Sequence, residues 1–274
     1  GIPDPTWRKL YGGVQPTKST TVQVTDNTVM LEAYAEVDKA LADLNGNTSA
    51  FRLSESRPHM EGMNQEIART LFYGNETDLP ESFTGLTPRF NDLSAENGEN
   101  IIDAGGESTT NRSIWLIVWG PNTVHGIVPK GSTAGLQMND KRQVTIENVD
   151  GAQGRMEAYR THFRWDAGLT VRDWRYIVRI ANIDRTELTG DAQSGPNLPD
   201  LMFQAMSLVP NMSLGRASFY AARDMWTYLR RQTASAVSNS TLTMENVGGA
   251  MIERFHGVPL RRVDALNVDE AQVT

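Results

Sequence analysis

A helical pattern of apolar residues lies between Ser56 and Gly74. The apolar positions of this pattern are Met60, Met63, Ile67 and Leu71. Their spacing of three and four residues places them on one face of an α-helix. Ser56 is a suitable N-cap, Pro58 then falls in the first turn, and Gly74 is a suitable C-cap. The pattern predicts a helix of about 17 residues, which is either an ordinary core helix or the spine of an elongated shell subunit.

Other segments show the patterns of β-strands. Residues 29–37 alternate between apolar and polar side chains, which predicts a strand with one buried face. Residues 113–119, SIWLIVW, form a continuous apolar run of the length of a fully buried strand. Residues 156–165 and 169–183 are rich in β-branched and aromatic residues, and Asp-Ala-Gly between them predicts a break.

Tryptophan is concentrated in the strand-rich region 113–184, which holds four of the six tryptophans. Trp115 and Trp119 lie four residues apart in the apolar run, so they share one face of the predicted strand. We expect both side chains to be structural and to pack against a helix.

The remaining segments are shorter. Residues 75–111 are polar and rich in turn-forming residues, which predicts a loop. The other predicted elements are a short helix at 38–45, a linker at 185–196, a helix at 198–209, a strand at 217–221, a helix at 223–232, a loop at 233–243 and two short strands in 251–266.

Residues 1–26 form the segment whose sequence least explains its own stability. Residues 20–24 alternate like a strand, and the preceding half is its candidate hairpin partner around Gly12-Gly13. A two-stranded ribbon is not stable alone in water, so this one needs the body of its own chain or a neighbouring subunit. A loosely attached terminus is the simpler alternative. The cations of residues 1–26 are Arg8, Lys9 and Lys18. Counted through residue 25, they exceed the acidic residues by two.

Composition excludes several classes of protein. The chain has 274 residues, a net charge of −7 and no cysteine, so disulfides, thiolate nucleophiles and cysteine-based metal sites are excluded. The acidic balance argues against a general nucleic-acid binder. No apolar run reaches the length of a membrane span, and no signal peptide is visible. The chain begins with Gly1 inside an irregular proline-containing stretch, so we expect upstream residues to have been removed.

Catalytic and metal-binding patterns are missing from the sequence. The four histidines, His59, His125, His162 and His256, are dispersed and show no ligand spacing. The segment GPNTVHGIVPKGS is similar to a phosphate-binding loop, but its lysine precedes the last glycine. We therefore expect no catalytic residues, no metal and no cofactor.

Several blocks of sequence resemble the major capsid proteins of tailed phages. Residues 71–86, LFYGNETDLPESFTGL, resemble the segment that follows their spine helix. Residues 217–233 and 254–266, the latter RFHGVPLRRVDAL, resemble the strand and helix of the axial domain and the G-x-P strand pair. Residues 113–131 and 158–183 are most similar to strands in short-tailed phages of the Bordetella-phage type. The resemblance covers nearly the whole chain.

This resemblance implies the α+β HK97-like capsid fold, which tailed phages share with encapsulins. Its parts are an extended loop, a long spine helix, a peripheral domain sheet and an axial domain. The implied division is a partial extended loop at 1–28, a peripheral domain at 29–184, an axial domain at 185–256 and a return strand at 257–274. The family has an N-terminal arm and an ascending strand of the extended loop before the position of Gly1, and we expect both to be missing here. The strand at 113–119 precedes the G-x-P pair instead of following it, so the block order is permuted, as in the Bordetella type.

The resemblance also implies function and partners. The expected function is self-assembly, as pentamers and hexamers, into an icosahedral virion shell that encloses double-stranded DNA without sequence-specific binding. Portal and scaffolding or decoration proteins are expected partners, assembly is expected in the host cytoplasm, and no membrane is involved. We expect contacts between subunits at the N-terminal segment, with Trp7 as the apolar anchor and Arg8, Lys9 and Lys18 as its polar rim. An encapsulin-like cargo shell and a soluble α+β enzyme or binding domain remain as alternatives.

Overall fold

A computed structural model of the chain describes residues 3–19, 23–44, 46, 48–149, 151, 153–190, 195–235, 242–247 and 250–274. The strands are β1 (Thr28–Asp38), β2 (Ile101–Asp103), β3 (Asn111–Trp119), β4 (Val124–Ile127), β5 (Gly135–Glu147), β6 (Arg155–Val171), β7 (Ile177–Asp184), β8 (Arg216–Ala221), β9 (Leu242–Val247), β10 (Ala250–Phe255) and β11 (Val258–Arg262). The α-helices are α1 (Lys39–Asp43), α2 (Thr48–Tyr73), α3 (Arg185–Gly190), α4 (Leu198–Leu208) and α5 (Arg223–Ser235).

The strands of the described residues hydrogen-bond into one continuous mixed sheet. Strand β3 lies at its centre, antiparallel to both β7 and β8, and is buried along almost its whole length. The apolar run at 113–119 predicted this buried strand, which is confirmed. Its position is explained by its composition, because a strand without a polar face must be covered on both sides.

At one end of the sheet, three long antiparallel strands lie in the order β1-β6-β5. The predicted break at Asp166-Ala167-Gly168 is wrong, because β6 runs through it as one strand of 17 residues. A Cβ atom on Gly168 would lie 2.5 Å from the carbonyl oxygen of Asn27. The glycine therefore permits a close approach of two backbones and does not form a turn.

Helix α2 packs across the inner face of these long strands and is longer than predicted, with 26 residues. Ser56 is not its N-cap: the side chain is buried, and its Oγ donates to the carbonyl oxygen of Arg52, 2.8 Å away. Pro58 accordingly lies inside the helix. The two additional turns are held by tertiary contacts, because Arg52 binds Asp140 on β5 through two hydrogen bonds.

The C-terminal end of α2 agrees with the prediction. The helix ends at Tyr73, and the amide of Gly74 donates to the carbonyl oxygen of Thr70 at 2.8 Å. A Cβ atom on Gly74 would lie 2.4 Å from the carbonyl oxygen of Phe83. Glycine is thus required at this helix end for close packing of the following loop.

Two clusters of buried side chains form the core. The main cluster joins the end of α2 to β3, β7, α4, β8 and α5. A smaller cluster of Ala35, Met63 and Phe163 lies between α2 and the long strands. The main cluster extends on both sides of residue 184, so the two regions on either side of it share one hydrophobic interior.

Several short elements occur where the sequence predicted loop or linker. Strand β2 lies within the predicted loop 75–111, helix α3 occupies the first half of the predicted linker, and β9 begins inside the predicted loop 233–243. Strand β2 has only three residues, which is too short for a recognisable strand pattern, and it pairs in parallel with β7.

The predicted ribbon at the N-terminus is wrong for the described part of the segment. Residues 3–19 and 23–27 contain no strand, and residues 20–22 of the predicted strand lie outside the described residues. The chain turns once between Lys9 and Gly12, where the amide of Gly12 donates to the carbonyl oxygen of Lys9 at 3.0 Å. No described neighbour offers a third strand here, and a lone pair of strands is unstable.

Candidate intersubunit surface

The N-terminal segment, residues 3–19, lies entirely in solvent in the isolated chain. Trp7 and Tyr11 are fully exposed, and Leu10 is 88% exposed. Arg8 and Lys9 lie between these apolar side chains and are also exposed, as is Lys18. An exposed cluster of large apolar and aromatic side chains with cations around it has the composition of a protein-binding surface.

Residues 26 and 27, which join the N-terminal segment to β1, are hydrogen-bonded to the rest of the folded subunit, which we call the body. The carboxylate of Asp26 accepts hydrogen bonds from Nη2 of Arg89 at 2.8 Å and from Oγ1 of Thr170 at 2.6 Å. The next residue, Asn27, donates its side-chain amide to Glu76. The segment therefore leaves the body from a defined point beside the first residue of β1.

The long strands present a polar outer face on the side away from α2. On β1 this face consists of Met30, Glu32, Tyr34 and Glu36, and we call these four residues the β1 face. Their partners on β6 are mainly basic: Nε of Arg160 donates to Glu36 at 2.6 Å, and the ring of His162 stacks on Tyr34 at 4.5 Å. Met30 and Tyr34 remain 62% and 49% exposed.

An ionic network inside the body holds the C-terminal residues. Nη2 of Arg179 donates to Oε2 of Glu270 at 2.8 Å, and these side chains are only 2% and 7% exposed. The hydroxyls of Ser113 and Tyr73 also donate to this carboxylate. Nη1 of Arg179 donates to the carbonyl oxygen of Phe90 at 2.5 Å. The network joins α2, β3, β7 and the C-terminal segment through one buried carboxylate.

The network also sets the protonation of Tyr73. Burial raises the pKa of the Tyr73 hydroxyl well above its usual range, and the negative charge of Glu270 raises it further. The phenol therefore remains a hydrogen-bond donor to the carboxylate throughout the neutral range.

A second buried arginine secures the same C-terminal segment. Arg112 on β3 has a side chain that is 4% exposed, and it donates to Asp224 at the start of α5 at 3.3 Å and to Asp269 at 2.5 Å. Beyond it, Asn182 exchanges hydrogen bonds with the backbone of Val273 at 2.8 and 2.9 Å. The last residues of the chain are thus integrated into the body, in contrast to its first residues.

A groove of about 730 Å³ runs between α2 and the segment that follows β11. Glu61, Gln65 and Glu66 line one side, and Arg262 and Val268 line the other. Its lining is mixed in charge.

The predicted core residues occupy different depths. Trp115 is fully buried, and its ring contacts the rings of Phe72 on α2 and of Phe90. Trp119 is half-buried, and its Nε1 donates to the hydroxyl of Tyr220 at 2.8 Å. On α2, Met63 is buried, Met60 and Leu71 are half-buried against the two clusters, and Ile67 is half-buried.

Comparison with known proteins identifies the family. The family model described as major capsid protein GP7 matches residues 1–274. The chain belongs to this family. It is also similar to a chain in the near-atomic-resolution structure of bacteriophage Epsilon15, with 43% identity, a TM-score of 0.69, and coverage of 100% of this chain and 83% of that chain. A search of curated proteins returned no match.

The identification confirms the fold and the class of function. The chain is a tailed-phage major capsid protein with the α+β HK97-like fold. It is a structural protein of the virion that acts as a homo-oligomer in a shell, and it is not an enzyme.

The histidines of this capsid protein have local contacts. His59 stacks on Phe163, His162 on Tyr34, and the ring of His256 lies against Phe203. Within the described ranges, no group of three or more histidine or acidic side chains is arranged to hold a metal ion. None of the described helices is long and apolar enough to cross a membrane.

The sequence did not reveal the buried ionic network. One signal was present: Arg179 interrupts the apolar run of β7, and a charge in a fully buried strand requires a partner. The partner was not identifiable, because Glu270 is 91 residues away in a segment without a strong pattern.

Proposed function

We propose that this capsid protein assembles into pentamers and hexamers that close into an icosahedral shell around the double-stranded DNA of a tailed phage. The family and the Epsilon15 likeness over the whole chain support the shell. The observation that carries the proposal is the full exposure of Trp7 and Tyr11 beside a body that is otherwise well packed. Contiguous exposed apolar side chains of this kind mark surfaces that bind a protein partner, and in a shell that partner is a neighbouring subunit.

The contact between subunits is centred on Trp7. Aromatic side chains supply large contact areas and dominate the energies of interfaces, so Trp7 is the anchor. Arg8, Lys9 and Lys18 form the rim, where they face the acidic surface of a neighbour. Each rim pair contributes only about 0.2–1 kcal/mol, but the contact is repeated throughout a closed shell.

The division of the subunit follows the HK97-like arrangement. Residues 1–28 belong to the extended loop, 29–184 form the peripheral domain with its spine helix, 185–256 the axial domain, and 257–274 the return to the peripheral domain. Helix α2 supports this division as the spine, because it has 26 residues and its middle, at Met60 and Met63, packs against the long strands. The order of blocks, with β3 before the β10-β11 pair, supports membership of the branch that includes the Bordetella-type short-tailed phages.

The shell encloses DNA without sequence-specific contacts. A net charge of −7 limits adhesion of DNA to the shell and so favours its packaging and release. A portal protein and scaffolding or decoration proteins complete the particle, which is assembled in the host cytoplasm before it becomes the virion.

Electron microscopy combined with light scattering after size exclusion tests this function. The expected result is closed shells or capsomer-sized oligomers of the purified protein. A monodisperse monomer under all conditions of salt and concentration would contradict it. Shells that contain one stoichiometric protein cargo and no DNA would indicate a cargo compartment instead.

A further inference from the structure

The centre of the sheet contains a group of buried polar residues. Four residues on the adjacent strands β3 and β7 are each no more than 3% exposed: Asn111, Arg112, Arg179 and Asn182. Buried polar groups require hydrogen-bond partners, and a buried charge also requires a compensating charge. Each of the four has at least one partner in residues 264–274, which we call the C-terminal strap.

The strap supplies the charges that the two buried arginines need. Glu270 pairs with Arg179 at 2.8 Å, and Asp269 pairs with Arg112 at 2.5 Å. Arg112 has a second acidic partner in Asp224. Within the described part of the chain, Arg179 forms no ion pair besides the one with Glu270. Without the strap, Arg179 would therefore remain as an uncompensated charge in the interior of the sheet.

Asn182 makes a second demand on the strap. Its φ angle of 56° lies in the left-handed region, although the residue is part of strand β7. For a residue other than glycine, this conformation is costly and persists only where the surroundings hold it. The side-chain amide of Asn182 donates to the carbonyl oxygen of Val273 at 2.9 Å, and its Oδ1 accepts from the amide of Val273 at 2.8 Å. Val273 and Leu266 are also members of the main core cluster, so the strap completes the apolar interior as well.

The strap reaches its partners across long distances in sequence. Glu270 is 91 residues from Arg179, and Asp269 is 157 residues from Arg112. A chain is synthesised from its N-terminus at about 5–20 residues per second, so β3 and β7 are complete before the strap exists. Until the strap docks, the charge of Arg179 opposes burial, and the centre of the sheet cannot reach its final packing.

The strap also supports the point from which the N-terminal segment leaves the body. The amide of Leu93 donates to the carbonyl oxygen of Thr274 at 3.1 Å, which ties the stretch before β2 to the strap. Arg89, in the same stretch, donates to Asp26 at 2.8 Å. A subunit whose strap is not docked therefore lacks part of the support for the origin of its N-terminal segment.

We propose that docking of the C-terminal strap, which brings Glu270 to Arg179, is the closing step in the formation of the subunit and admits it to assembly. A chain without a docked strap has an unfinished centre and an unsupported N-terminal segment, so neighbouring subunits do not take it up. The strap thereby excludes incomplete chains from the shell. This inference rests on the proposed shell function and adds a control over which subunits enter the shell.

Amide hydrogen exchange of the full-length, unassembled subunit tests the closing step. The amides of Glu270 and Val273 donate to Asn111 and Asn182, at 3.0 and 2.8 Å. We expect both amides to exchange only when β3 unfolds, with the same urea dependence as the amides of β3 and at least about 1,000-fold more slowly than in an unfolded chain. Exchange of these two amides that is faster than in β3 and insensitive to urea would show local opening of the strap, which overturns the proposal.

A paired variant tests whether the buried charge is the cause. In Arg179→Met with Glu270→Gln, the centre of the sheet no longer holds a charge that requires the strap. We expect the amides of β3 to stay protected, while the amide of Val273 exchanges faster than they do. Asp264→Asn is the matched control within the strap, because its exposed pair with Arg223 does not reach the centre, and joint exchange is expected to persist. Joint exchange in the paired variant too would contradict the assigned cause and overturn the proposal.

Co-expression with the unmodified chain tests admission to the shell. Tagged full-length chains carry either the paired substitution or Asp264→Asn, and the share of each in purified shells is compared with its share among soluble subunits. We expect the paired variant to be depleted from shells and Asp264→Asn to keep its share. Because the paired variant retains a protected β3, its depletion is not explained by unfolding. Equal shares of the two variants would overturn the admission step. If the unmodified chain forms no shells, the shell function itself fails, whereas the exchange measurements still decide the closing step.

Discussion

The buried carboxylate of Glu270 gives the sharpest test of how the body is held together. We expect Glu270→Gln to destabilise the subunit strongly while preserving the shape of the side chain. The substitution removes the charge that compensates Arg179, whose side chain is 2% exposed. It also replaces an acceptor of hydrogen bonds from Ser113 and Tyr73 with a group that accepts at only one atom.

The magnitude follows from the burial of the pair. Removing one partner of a buried ion pair leaves an uncompensated charge and costs about 3–5 kcal/mol. For a chain of this size, each kcal/mol lowers the Tm by about 2–4 °C, so a loss of about 6–20 °C is expected. The ionic contact itself is worth less than this value, because the desolvation of Arg179 accounts for much of the cost.

Thermal and urea unfolding of unassembled subunits, followed by circular dichroism, measures the effect. Asp264→Asn is the matched control, because Asp264 pairs with Arg223 at 2.6 Å while both side chains remain more than half exposed. That exposed pair contributes about 1 kcal/mol or less. Combining Glu270→Gln with Arg179→Met should recover part of the loss, since the unpaired charge is then absent. Equal unfolding midpoints for Glu270→Gln and Asp264→Asn would refute the assignment of the network as a buried support.

Three further predictions concern other parts of the chain. Trp115→Ala should cost about 3–5 kcal/mol and prevent normal assembly, because it empties the centre of the main core, and normal shell yield would contradict this. Reversing the charges of Arg8 and Lys9 together should lower shell yield in low salt while circular dichroism of the subunit stays unchanged, and insensitivity to salt would argue against a polar rim. The raised pKa of Tyr73 means that its contribution to stability is present below pH 10.0 and declines above it, because only the unfolded state then ionises. In denaturant titrations, Tyr73→Phe should therefore lose less stability than the unmodified chain between about pH 10 and 11.

Local patterns predicted the elements that depend on local physics. The alternation at 29–37 corresponds to β1, and the apolar run at 113–119 corresponds to β3. Both were predictable because the order of apolar and polar side chains along a strand shows whether one or both of its faces are buried. The start of α2 was mispredicted for the opposite reason. Ser56 and Pro58 form a good local start signal, but contacts of Arg52 with β5 and β6 extend the helix beyond it.

Non-local contacts account for most of what the sequence did not reveal. The glycine in β6 resembled a turn because its partner at Asn27 is distant in the chain. Glu270, which accepts hydrogen bonds from Ser113 and Arg179, lies near the end of the sequence, where no periodicity marks it. For the N-terminal segment, the sequence predicted a covering surface, but the hydrophobic pattern alone does not choose between the body of its own chain and a neighbouring subunit.

The two ends of the chain are stabilised in opposite ways, and this difference bears on assembly. The C-terminal residues are bound by Arg112, Arg179 and Asn182 within one subunit, so their stability does not depend on neighbours. Burial of Trp7 and Tyr11 would remove about 300–500 Å² from water and contribute about 8–12 kcal/mol before costs. Ordering roughly six residues of backbone costs about 6–12 kcal/mol, so a single docked segment is close to neutral. If the N-terminal segment docks on a neighbour as proposed, one contact would form and dissociate readily, and only the many simultaneous contacts of a closed shell would make the arrangement permanent.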